Sequence, residues 1–155
     1  MARRVFISYE GEDRNKGKGF NLLQWNKNVD VEFVGRHLLD PVKSTDPDYI
    51  RAEIKERIKG TSVTVVICGD HTNESEWVRQ EIAWSLEKNP PNGLLAIKLT
   101  DNAQVPDSLI DCGAEVIGWN PNDFADALER AAFQAGRVRA LLQRGGDSGH
   151  GCVRR

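Results

Sequence analysis

The stretch Ser62-Val63-Thr64-Val65-Val66-Ile67-Cys68 decides the fold. It is rich in β-branched residues and shows little apolar–polar alternation, the pattern of a strand covered on both faces. Such a strand belongs in the middle of a parallel sheet flanked by helices. Working outward, Val5-Phe6-Ile7-Ser8-Tyr9 is short, aromatic and β-branched, and reads as a first strand. Val29 to Val34 alternates and reads as a second, at an edge of the sheet. Leu94 to Leu99 and Glu115 to Trp119 complete a set of five.

Helical patterns fill the intervals. Asp46-Pro47 suits an N-cap followed by proline at N1, Ile50, Ile54 and Ile58 form a stripe at helical spacing, and Gly60 suits the stop. A second helix is expected to start between Asn73 and Ser75, to bury Val78, Ile82 and Leu86, and to end before Asn89-Pro90-Pro91-Asn92-Gly93. A last helix follows Asn120-Pro121 and presents Phe124, Leu128, Ala131, Ala135 and Leu142. Arg14 to Asn28, with Phe20, Leu23 and Trp25, reads as a helix or as a long loop with helical pieces. Alternating strands and helices with short connections predict an α/β domain with helices on both faces of a parallel sheet. For five strands the expected order is 2-1-3-4-5, the flavodoxin-like doubly wound arrangement. The domain is expected to occupy 1–143, and the Gly-rich segment 144–155 reads as a disordered tail.

Composition narrows the function classes. A chain of 155 residues suits one domain with one core. Its net charge of −2, with scattered Lys and Arg, predicts no wholesale binding to nucleic acid or anionic membrane. No apolar run approaches the roughly 20 residues of a membrane span, and no h-region follows Met1-Ala2-Arg3-Arg4, so a cytoplasmic location is expected. Cys68, Cys112 and Cys152 lack Cys-x-x-Cys spacing, and His37, His71 and His150 are isolated. Neither a disulfide framework nor a metal site is expected.

In a doubly wound sheet, ligands bind at the carboxyl ends of the strands, beside the switch point between strands 1 and 3. Three segments converge there: Ser8 to Asp13, Asp40 to Asp46, and Asp70 to Glu81. Within the third, Trp77-Val78-Arg79-Gln80-Glu81 sets a helical glutamate between Trp77 (i−4) and Trp84 (i+3), with Val78 and Ser85 as its other near neighbours. A solvated helical glutamate usually has a Lys or Arg at such spacings. One between two indoles is partly desolvated, which pushes its pKa upward and marks a group that does chemistry.

These residues resemble a known family. Val5 to Tyr9, followed by Glu10 to Asp13, resembles the first box of TIR domains, where an apolar strand ends in Ser-Tyr. Trp77 to Glu81 resembles the Trp-x-x-x-Glu segment of NAD-cleaving TIR domains. From Val5 to Asp101 the chain is similar to the bacterial TIR-like proteins of the Thoeris anti-phage system, in which Thr-Ser-Val-Thr, an apolar strand and Trp-Val-Arg-x-Glu-Ile follow in order, as in Thr61 to Thr64 and Trp77 to Ile82 here. The second box of ordinary TIR domains, Arg-Asp with a following Pro-Gly, is missing. Leu39 to Ser44 stands in its place, as in the TIR-like subgroup.

The resemblance implies cleavage of NAD at the nicotinamide–ribose bond, with Glu81 as the catalytic residue. It also implies a product derived from ADP-ribose, often cyclic, that activates a separate effector protein. NAD is then the substrate, and no further cofactor is expected. Tyr9 and Trp77 become stacking surfaces, and Ser8, Asp40, Ser44 and Asp46 polar contacts. A phage-derived trigger or self-association is the implied means of completing the pocket. Two other readings compete. A catalytically silent scaffold would use the fold for self-association or partner recruitment. A phospho-receiver would use Asp70 with Lys98 and Thr100, but it needs paired acids at the end of the first strand, where Ser8-Tyr9 stands. Asp46 also suits a simple helix cap.

Overall fold

The computed structural model describes residues 3–10, 31–35 and 46–145, with side chains described for 4–10 and 46–134. Arg14 to Asn28, Asp40, Ser44 and the segment 146–155 therefore lie outside the described residues. The described elements, in chain order, are β1 (Arg3–Tyr9), β2 (Val31–Gly35), α1 (Pro47–Lys59), β3 (Val63–Cys68), a 3-10 turn (Thr72–Glu74), α2 (Glu76–Glu87), β4 (Gly93–Lys98), α3 (Asp107–Asp111), β5 (Glu115–Gly118) and α4 (Pro121–Gly145).

The strands form one parallel sheet of five in the order β2-β1-β3-β4-β5. All six residues of β3 are buried, as its unbroken run of β-branched side chains requires. β5 lies at the edge and alternates between half-buried and exposed positions. One face of the sheet carries Val5, Ile7, Tyr9, Val63, Val65, Ile67, Leu95 and Ile97, which pack under Phe124, Ala127, Leu128 and Ala131 of α4. The other face is covered in two parts. Val66, Cys68, Leu94 and Ala96 meet Val78 and Ile82 of α2 and Leu109 and Cys112 at α3. Phe6 meets Ile54 and Ile58 of α1 together with Trp84 of α2.

Local chemistry sets the element ends. Asp46 Oδ1 accepts the Asp48 N–H at 3.0 Å to open α1, and the Gly60 N–H returns to the Arg57 carbonyl to close it. Ser75 Oγ accepts the Val78 N–H at 3.2 Å to open α2. The turn after β3 is tied down by buried Thr72, whose Oγ1 accepts the Gly69 N–H at 2.7 Å. β4 begins at Gly93 because α4 crosses its backbone closely: a Cβ there would collide with the Ala131 carbonyl.

Two details depart from the sequence reading. The short α3 was not anticipated, since Pro106 and Gly113 leave room for little more than one turn between them. Arg144 and Gly145, assigned to the tail, instead close α4, and glycine suits a helix end. Of the expected core positions on α4, Phe124, Leu128 and Ala131 are buried, and Ala127 joins them. Among the described residues no helix is long and apolar enough to cross a membrane.

Candidate active site

Ser8 is the penultimate residue of β1 and pairs with Val66 of β3, so it sits at the carboxyl end of the two strands that flank the switch point. Its Oγ donates a hydrogen bond to Glu81 Oε1 at 2.6 Å, and both residues are 0 % exposed. Glu81 lies in the second turn of α2, on the side that faces β1. A carboxylate so placed is costly unless donors satisfy it, and a short bond from a hydroxyl is one of the stronger kinds.

The backbone of the glutamate is anchored as well. Ser85 Oγ donates to the Glu81 carbonyl at 2.8 Å and lies 2.6 Å from Thr64 Oγ1 on β3. Asn92 Nδ2 donates to Thr64 Oγ1 and to Thr61 Oγ1, each at 2.9 Å. Asn92 Oδ1 accepts from Lys88 Nζ at 2.6 Å, and Thr61 Oγ1 donates to the Ile58 carbonyl at 2.7 Å. Each hydroxyl has one proton, which sets the direction of the chain: Asn92 to Thr64, Thr64 to Ser85, Ser85 to the Glu81 carbonyl. The inner face of α2 is thus held to the sheet by a buried polar seam.

The remaining residues singled out in the sequence divide clearly. Trp77 is half-buried one turn before Glu81, packed into the cluster of Phe6, Ile54, Ile58 and Trp84. The Arg51 guanidinium carbon lies 5.9 Å from its ring centroid, a cation–π distance. Tyr9 needs correcting. Strand alternation sends it to the face opposite Ser8, where it is 3 % exposed in the core under α4, so it offers Glu81 no stacking surface. Asp46 is exposed and caps α1. Asp40 and Ser44 fall outside the described residues. Asp70 is exposed in the turn after β3, and Lys98 Nζ donates to the Asp101 carbonyl at 2.7 Å. Where a receiver-type site needs paired acids, at the end of β1, the described residues hold buried Ser8 and Tyr9. Among the described residues no group of three His, Cys, Asp or Glu side chains would hold a metal ion.

The seam is what sequence reading missed. Ser85 was noted only as an uncharged neighbour of Glu81, and Asn92 only as part of a helix breaker. Thr64 and Ser8 do carry a signal: each is a hydroxyl within an apolar run, Val63 to Cys68 and Val5 to Tyr9.

The family model for the TIR-like domain of the Thoeris protein ThsB matches residues 6–104, from β1 through the turn after β4. The chain belongs to this ThsB TIR-like domain family. The matched span of the TIR-like domain contains both Ser8 and Glu81 and leaves out β5 and α4. No match was found among functionally curated proteins. Among solved structures, the SEFIR domain of IL-17 receptor B is similar in fold, with a TM-score of 0.57 at 10% identity, covering 84% of this chain and 97% of that one. The TIR domains of the activated Roq1 resistosome align with a TM-score of 0.48 at 18% identity, over 96% of this chain and 93% of theirs. A flavodoxin-like domain from Synechococcus sp. aligns with a TM-score of 0.44 at 14% identity, over 91% of this chain and 99% of that one.

Proposed function

We propose that this TIR-like domain cleaves NAD at the nicotinamide–ribose bond and makes an ADP-ribose-derived, cyclic signalling nucleotide that activates a separate effector in anti-phage defence. The observation that carries the reading is the buried Glu81 carboxylate held by Ser8 at the switch point of the sheet. Breaking the C1′–N bond sends its electron pair to nicotinamide, which leaves neutral, and builds positive charge on the ribose. A fixed carboxylate beside that carbon stabilises the developing oxocarbenium ion. A good leaving group makes a strong general acid unnecessary. Trp77, half-buried one turn away, would supply an aromatic surface to a base.

The full burial of Glu81 suits an enzyme that acts only after a phage-derived trigger or an assembly step opens the pocket. The test is NAD content, with nucleotide products resolved by mass, in phage-challenged cells expressing wild type or Glu81→Gln. Infection-dependent NAD loss and a new ADP-ribose-derived species, both absent in the variant, are expected. Equal protection by both proteins with NAD unchanged would replace this reading with that of a silent scaffold.

A further inference from the structure

We propose that Ser8 is a positioning residue for Glu81: a hydroxyl built into the rigid end of β1 that fixes the orientation of the carboxylate without itself touching substrate. The inference rests on the NAD-cleaving reading above and assigns Ser8 a role other than the substrate contact expected from the sequence.

The first support is the cost of the hydroxyl where it stands. Val5, Phe6 and Ile7 before it are all 0 % exposed, and an aliphatic side chain at position 8 would suit the same core. A buried hydroxyl is unfavourable unless it is bonded, and here its partner is Glu81. The second is the mismatch in stiffness. Glutamate has three side-chain torsions to fix, serine one, and β1 is paired on both sides, with β2 up to Ile7 and with β3 through Tyr9. A short donor on a stiff strand therefore selects the rotamer of a long, mobile acceptor.

The third support is that the other end of Glu81 is fixed independently. Its carbonyl is held through Ser85 to Thr64 on β3. Side chain and backbone of this one residue are thus tied to β1 and β3, the two strands beside the crevice. Finally, the single Ser8 proton is committed to Glu81, which leaves it no donor to offer a ligand. Donation to the carboxylate also favours the charged form, the form that stabilises an oxocarbenium ion.

The experiment compares wild type, Ser8→Ala, Ser8→Thr and Glu81→Gln at matched expression. NAD turnover is measured in extracts of phage-challenged cells. The Glu81 carboxyl carbon is followed by 13C NMR on the purified proteins, its signal assigned by its loss in Glu81→Gln. Ser8→Ala should lower kcat about 10- to 100-fold with KM within about twofold, as displacement of a reacting group does. Its Glu81 signal should titrate at higher pH than in wild type. Ser8→Thr, which restores the hydroxyl on a strand-favouring side chain, should recover both. If Glu81→Gln is inactive while Ser8→Ala keeps wild-type kcat, or moves KM alone, or leaves the Glu81 titration in place, the positioning role is wrong and the NAD reading stands. If Glu81→Gln turns over NAD like wild type, Glu81 is not the catalytic residue and the positioning role falls with it; if wild type turns over none, the NAD reading itself fails. The NMR spectrum reports whether each variant is folded, and Ser8→Thr keeps the test open if Ser8→Ala is not.

Discussion

Thr64 Oγ1 and Ser85 Oγ lie 2.6 Å apart in the seam between β3 and α2, and Ser85 passes its own proton on to the Glu81 carbonyl. Ser85→Ala takes away the acceptor of the Thr64 proton inside a closed core. Leaving such a group unmet costs about 1–3 kcal/mol. Urea denaturation should show that loss, and Thr64→Val combined with Ser85→Ala should not recover it, because the Asn92 proton that Thr64 accepts is then left unmet.

Asn92 satisfies three groups from one amide: it donates to Thr61 and Thr64 and accepts from Lys88. Asn92→Ala should be more damaging than Ser85→Ala, by about 2–3 kcal/mol, since hydrogen bonds to charged groups are the stronger ones and Lys88 loses one. Thermal unfolding of the two variants side by side ranks them. Equal midpoints would show that water replaces the amide at the end of α2.

The Ser8–Glu81 pair should be worth more to activity than to stability. A buried carboxylate gives up its hydration, and replacing such a pair by apolar groups of similar size is often neutral or stabilising. The double variant Ser8→Ala with Glu81→Met should therefore unfold at or above the wild-type denaturant midpoint. Glu81→Gln alone should cut NAD turnover at least about a hundredfold. A double variant markedly weaker than wild type would make the pair primarily structural.

Gly93→Ala tests the approach of α4 to the sheet. The added methyl group meets the Ala131 carbonyl, a backbone atom that cannot turn aside, so α4 has to move. Overpacking of this kind costs about 1–3 kcal/mol or more. The expected signs are a lower melting temperature and faster amide exchange along α4.

One surface pair sets a pH response. Arg130 forks onto Glu115 with bonds of 2.8 and 2.7 Å, and those bonds hold the Glu115 carboxyl below its ordinary value of 4.5 against a smaller opposing effect of partial burial. The pair thus adds stability above pH 4.5, which is lost as acid takes the medium down through the lowered folded-state value. Arg130→Gln should flatten that acid limb in a melting-temperature series and change little at neutral pH. The effect is small, because both side chains are substantially exposed.

The sheet was legible because its signals are local. The apolar run of β3, the cap and proline before α1, and the breaker after α2 each act within a few residues. Glu81 stood out for the same reason, since its indole neighbours lie one turn away on the same helix. Its bond to Ser8 was legible only as a shared place at the switch point. Ser8 lies 73 residues upstream, and only the docking of α2 on β1 brings the two together. Tyr9 was misjudged although the signal was present: period-two alternation sends neighbouring strand residues to opposite faces, so Ser8 and Tyr9 do not share a site. The seam of Thr61, Thr64, Ser85 and Asn92 depends on helix azimuth over the sheet, a quantity that no local pattern specifies.

The span of chain between Ser8 and Glu81 has a consequence for the cell that makes this protein. Under the proposed chemistry, an unruly copy would drain the host's NAD. Yet the acid and its holder meet only after the ribosome has released everything from the first strand to the helix that packs across it. Nascent chains and proteolytic fragments lacking either end carry half a site. The 73-residue separation of the two makes the complete site a late product of synthesis.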